Sequence, residues 1–136
     1  PDIDIMIDVV NRLTPPEAML LANACAQYNL FFFEDPIEPD NMEAQAEFAR
    51  RAPMPIATGE RLQTIYQFSD LLSRNGAAFI RPDISLAGGI SGINRMGSMK
   101  CDCRSRNPNR IMVICDTLMS GSHVLVLGRC RGRVST

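Results

Sequence analysis

Four acidic residues, each closing a short apolar run, constrain this chain more than any other feature: Asp8 in DIMID, Glu34 in LFFFE, Glu60 in PIATGE and Asp83 in FIRPD. Their spacings are 26, 26 and 23 residues. A period of about 25 residues suits one strand followed by one helix, so the acids are expected at the same end of neighbouring parallel strands. In α/β sheets and barrels, that carboxyl end is where active sites are built. Carboxylates converging there repel one another unless a cation neutralises them. Hard divalent ions such as Mg²⁺ take oxygen donors of this kind.

The segments between the acids read as helices. Residues 3–7 (IDIMI) read as a buried strand delivering Asp8. Thr14-Pro15-Pro16-Glu17 then starts a helix over Glu17 to Tyr28, with Thr14 as N-cap, proline in the first turn and Glu17 completing a capping box. Leu30 to Phe33 has the continuous apolar character of a strand buried on both faces. Asp40 or Asn41 caps a helix over Met42 to Arg51, which Pro53 and Pro55 terminate. Ile56 to Thr58 is a short strand, and Gly59 lets the backbone turn so that Glu60 points inward. A helix from Ile65 to Arg74 ends at Asn75-Gly76, Ala78 to Arg81 forms the fourth strand, and Ala87-Gly88-Gly89 opens a helix over Ile90 to Met99. Four consecutive βα units predict a parallel sheet with helical cover.

After Lys100 the pattern fails, and composition explains why two regions must be separated. Residues 1–100 carry 13 acids and 8 bases, whereas residues 101–136 carry 2 acids, 6 arginines and four of the five cysteines. Ile111 to Cys115 and Val124 to Leu127 could each form a strand, but no amphipathic helix separates them. The expected division is 1–100 as a barrel-type domain and 101–136 as a divergent tail, frameshifted or disordered. The cysteines lack the C-x₂-C spacing of structural zinc sites, and an odd count argues against a secreted disulfide framework. The tail arginines come without an aromatic platform or a nucleic-acid-binding motif, so no nucleic-acid partner is expected. No apolar run approaches the ~20 residues of a membrane span, and no leader pattern opens the chain, so a cytoplasmic setting is expected.

The four acids with their neighbours resemble the enolase superfamily, in its mandelate racemase/muconate lactonizing branch and most closely its galactonate-type sugar-acid dehydratases. The resemblance rests on IMID at 5–8, FFFEDP at 31–36, PIATGER at 55–61 and RPDISLAGGI at 81–90, in family order and spacing over residues 2–99. It implies part of a (β/α)8 TIM barrel, the third to sixth strands, followed by an irregular tail. It also implies Asp8, Glu34 and Glu60 as Mg²⁺ ligands, and Asp83 as the aspartate that pairs with a histidine to make the catalytic base. Asp35 and Arg61 would lie beside the substrate or behind the ligands. The implied reaction is removal of the proton next to a carboxylate through an enediolate, followed by loss of a β-hydroxyl from an aldonate. A small-molecule sugar acid would be the substrate, and the parent enzyme would self-associate.

Three departures bear on activity. Val10 and Asn11 stand where relatives carry Asn or His and then Gly, and no acid is supplied from that strand. The family's lysines on the second strand would precede Pro1. The histidine partner of Asp83 is expected near residue 110, where the chain has Asn107-Pro108-Asn109-Arg110. His123, the single histidine, sits in a Gly/Ser context that suits an incidental surface residue. The chain therefore reads as a dehydratase fragment with a metal corner. Alternatives are a non-catalytic half-barrel that binds metal weakly or self-associates, a racemase or cycloisomerase of the same superfamily, and a receiver-type Mg²⁺ module. A complete barrel needs eight units, so unpaired edge strands with an exposed apolar flank are expected.

Overall fold

Each apolar run that closes on an acid becomes a strand, and the strands lie side by side in chain order. The computed structural model describes residues 3–97, 112–115 and 124–126. Its strands are β1 (Met6–Asp8), β2 (Phe32–Glu34), β3 (Ile56–Thr58), β4 (Phe79–Ile80), β5 (Met112–Cys115) and β6 (Val124–Val126), in the order β1-β2-β3-β4-β5-β6. Pairing is parallel from β1 to β5 and antiparallel between β5 and β6. The helices α1 (Pro15–Cys25), α2 (Met42–Arg51), α3 (Ile65–Ser73) and α4 (Gly89–Gly97) follow β1 to β4 in turn. This is the expected run of four βα units. The two apolar runs beyond Lys100 do form strands, and β5 extends the parallel order. The rest of the expected tail, including His123 and residues 107–110, lies outside the described residues.

Local chemistry accounts for the helix ends. Glu17 Oε2 accepts from Thr14 N at 2.9 Å and from Thr14 Oγ1 at 2.6 Å, which fixes the start of α1. That helix ends at Cys25 rather than Tyr28. A 3-10 turn over Ala26–Tyr28 follows, and Asn29 adopts φ 57. Asn41, not Asp40, caps α2, its side chain accepting from Glu43 N and Ala44 N at 3.0 Å each. Glu43 in its first turn and Arg50 and Arg51 in its last complement the helix dipole. Thr64-Ile-Tyr-Gln67 is a further capping box, with Gln67 Oε1 accepting from Thr64 N at 3.0 Å. At the end of α3, Asn75 takes the left-handed conformation (φ 56). Gly76 is needed for a different reason, because a Cβ there would lie 2.6 Å from Leu71 Cδ1.

Two apolar clusters hold the helices to one face of the sheet. Phe33, Ile56 and Ile37 pack with Ala18, Ala22 and Phe48 under α1 and α2. Ile80, Phe68, Leu71, Leu72 and Ile93 pack under α3 and α4. The opposite, inner face carries Phe32 and Phe79, whose ring centroids lie 5.4 Å apart. Phe32 and Phe33 are both buried, as a strand covered on two faces requires.

The sheet edge corrects one expectation. Residues 3–7 do not form a buried strand: β1 begins at Met6, and Ile3, Ile5 and Met6 are 76%, 51% and 53% exposed. Among the described residues β1 pairs with β2 alone, so this strand is an edge of the sheet with no neighbour on its other side. No described helix is long and apolar enough to cross a membrane.

Candidate active site

The strand register brings the acids together. Asp8 is paired with Glu34, and Glu34 with Ala57, in adjacent parallel strands. Glu60 stands two residues beyond β3 and Asp83 three beyond β4, so all four acids lie at the carboxyl end of the sheet. The arrangement follows from the βα repeat, since parallel strands of similar length start and stop together.

Each acid has a distinct setting. Asp8 is exposed, and its Oδ1 accepts from Val10 N at 2.8 Å in a tight turn. Val10 and Asn11 both adopt positive φ, 51 and 55. Two left-handed residues in succession explain why a flexible residue suits this position. Glu34 is buried and receives Arg81 Nε on Oε1 at 2.7 Å. Burial pushes its carboxyl up to about 7, Arg81 opposes the shift, and Asp8 and Asp35 add to it. Glu60 is half-buried, and its carboxyl is raised by burial and then by Asp35, Asp8 and Asp83, against Arg61. Asp83 is buried, and its Oδ1 accepts from Ser85 N at 2.7 Å, starting the turn into α4. That turn needs Gly88 (φ 80) and Gly89 (φ 67).

Asp35 and Arg61 are placed differently from one another. Asp35 is fully buried at φ 41, with Oδ1 accepting from Thr58 Oγ1 at 2.6 Å and Gly59 N at 3.3 Å. Its backbone N donates to Ala57 O and its O accepts from Asn11 N. It therefore ties the ends of β1, β2 and β3 together beneath the mouth, and burial raises its carboxyl. Asp35 Oδ2 and both side-chain polar atoms of Asn11 are buried without a hydrogen-bond partner. Arg61 Nη1 instead reaches Glu38 at 2.9 Å on the exposed rim.

Two residues that sequence reading passed over shape this site, Thr58 and Arg81, and Asn11, noted only as a departure from the family pattern, lies buried beside them. Arg81 carried a usable signal. It lies two residues after Phe79 of β4, and a period of two carries both to the inner face of the sheet.

The donor set suits a hard divalent cation in kind, since Asp8, Glu34 and Glu60 offer only oxygen, and the raised carboxyls of Glu34 and Glu60 reflect burial and negative fields that a cation would relieve. The side chains do not converge on one point. Among the described residues, no three His, Cys, Asp or Glu groups are arranged to hold an ion, and Glu34 is engaged by Arg81.

Known proteins share this organisation. Residues 1–102 match the model of the enolase C-terminal domain-like family. The D-galactonate dehydratase of Ralstonia nicotianae is 32% identical over 97 residues, covering 71% of this chain and 25% of that protein. A D-galactarolactone cycloisomerase of Agrobacterium fabrum is 30% identical over 99 residues, covering 73% and 26%. The crystal structure of L-talarate dehydratase from Polaromonas sp. JS666, complexed with Mg and L-glucarate, superposes with a TM-score of 0.66 at 28% identity, covering 71% and 26%. The chain thus spans about a quarter of the length of the curated relatives it matches. With its partial α/β barrel and ordered strand-end acids, the chain belongs to the enolase C-terminal domain-like family.

Proposed function

We propose that this chain carries the cation-holding strands of a Mg²⁺-dependent sugar-acid dehydratase acting on an aldonate of the galactonate class. The observation that carries this reading is the register of Asp8 against Glu34, with Glu60 and Asp83 at the next two strand ends. In it, Asp8, Glu34 and Glu60 would hold Mg²⁺, which when bound would supply a Lewis acid to the substrate carboxylate. Asp83 is the acidic half of the base that removes the neighbouring proton, held by its bond from Ser85 N. Asp35 keeps the strand ends at fixed separation, and Arg61 with Glu38 forms the rim that meets the sugar acid. Residues 101–136 diverge in sequence from the family pattern, and turnover requires the remaining strands of a barrel, which is assembled as an oligomer.

Calorimetric titration of the 136-residue chain with Mg²⁺ tests the ligand set. Binding is expected for the natural sequence and its loss for Glu34→Gln; identical traces for the two proteins would remove the metal from this reading. An assay with a panel of aldonates should give no keto acid from this chain alone, and clear turnover would refute the need for further strands.

A second reading draws on the exposed Ile3, Ile5 and Met6 at the β1 edge: a half-barrel that self-associates without catalysis. Sedimentation of Ile5→Lys against the natural chain separates it, because a dimer closed through this edge should dissociate.

A further inference from the structure

Arg81 directly contacts one of the proposed ligands. It stems from the end of β4, and its Nε reaches Glu34 Oε1 at 2.7 Å. The pair is sequestered, with side chains 11% and 10% exposed. The guanidinium also lies 5.9 Å from the Phe32 ring centroid, and Phe32 is itself packed against Phe79. A cation held between an aromatic face and a carboxylate is fixed on two sides. The acidic mouth therefore already contains a positive charge, and it sits on the carboxylate that a divalent ion would use.

Like charges a few ångströms apart in a site with little water oppose each other strongly. A guanidinium in contact with Glu34 lowers the affinity of any divalent ion for the same group. Removing the guanidinium with no ion present leaves a buried carboxylate without its partner, which is costly. Both effects have definite sign.

We propose that Arg81 is a built-in counter-cation: it pairs with Glu34 when no divalent ion is bound, and the ion enters by exchanging with Arg81 for that carboxylate. The inference rests on Asp8, Glu34 and Glu60 being ligands. Arg81 is a positioning residue in this scheme, acting through Glu34.

Calorimetry with Mg²⁺ on the natural chain, Arg81→Met and Arg81→Lys tests it. Arg81→Met should bind about tenfold more tightly, the effect of removing one positive charge several ångströms from a doubly charged ion, while Arg81→Lys stays within about twofold of the natural chain. In EDTA, Arg81→Met should melt lower, and saturating Mg²⁺ should narrow the gap. A purely structural arginine would lower the melting temperature in both conditions and weaken binding. Equal or weaker affinity in Arg81→Met overturns the exchange. Should that variant not fold, the natural chain still decides: its Arg81 Nε–H resonance, assigned by its loss in Arg81→Lys, must shift on saturation, and an unmoved signal overturns the proposal. Absence of binding by the natural chain and by both Arg81 variants instead overturns the metal reading, and the exchange with it.

Discussion

Thr58 donates its hydroxyl to Asp35 Oδ1 at 2.6 Å, joining the end of β3 to the end of β2 beneath the acidic mouth. Asp35 is buried, and its second oxygen has no partner, so this bond and the longer one from Gly59 N carry most of its compensation. Thr58→Val removes the hydroxyl while keeping the shape. It should destabilise the fold by about 1–3 kcal/mol in urea unfolding, the penalty for leaving a buried polar group without its donor, and Thr58→Ser should recover most of it. No loss in Thr58→Val would mean that Asp35 is satisfied in another way.

Val10 is a β-branched residue at φ 51, 42% exposed, and its side chain has little packing to lose. A left-handed conformation costs a non-glycine residue about 1–2 kcal/mol, so Val10→Gly should raise stability by about 1 kcal/mol, with Val10→Asn close behind. Thermal melts decide it. The same variants bear on function, because Val10 N holds Asp8 Oδ1 and relief of strain there should sharpen the position of Asp8.

Gly59 has φ 132, and a Cβ at this position would lie 2.8 Å from Phe68 Cε1 and 3.4 Å from Arg81 N. Phe68 is completely buried and has no room to withdraw. Gly59→Ala should therefore cost about 1–3 kcal/mol from overpacking, and more if the backbone turn resists the side chain. A compensating Phe68→Leu in the same chain should restore part of the loss. Additive effects of the two substitutions would argue against a direct clash.

Stability should fall as pH rises through neutrality in a metal-free buffer. The Glu34 carboxyl is pushed up to about 7, mainly by burial, while the unfolded chain titrates near 4.5. A raised carboxyl favours folding fully below the unfolded value, and that contribution is lost as pH passes through the folded one. Asp35 and Glu60 are shifted in the same direction. Urea midpoints in EDTA should decline from about pH 5 to about pH 7.5, and Glu34→Gln should flatten part of the slope. A profile unchanged by that substitution would place the titration elsewhere.

Much of the fold was legible because its signals are local. Strands were marked by apolar runs ending in an acid, and α2 by Asn41 and the prolines after it. The order of the sheet followed from the βα alternation. The extent of β1 was misjudged, because IDIMI resembles a buried strand, and burial depends on a neighbour that the described sheet does not supply on that side. Asp35 was expected to act beside Glu34, but the bond that makes it a brace between strand ends comes from Thr58, 23 residues away.

By itself the sequence determined the elements, their order and the end of the sheet where the acids gather, since these follow from short-range periodicity and the length of one βα unit. Only the tertiary structure decided which charges meet. Arg81 and Glu34 are 47 residues apart and on non-adjacent strands, and their 2.7 Å contact exists because the inner face brings them over Phe32. Periodicity specifies the face a residue occupies. The partner it finds there depends on how strands pack across the sheet, and that leaves no local mark in the chain.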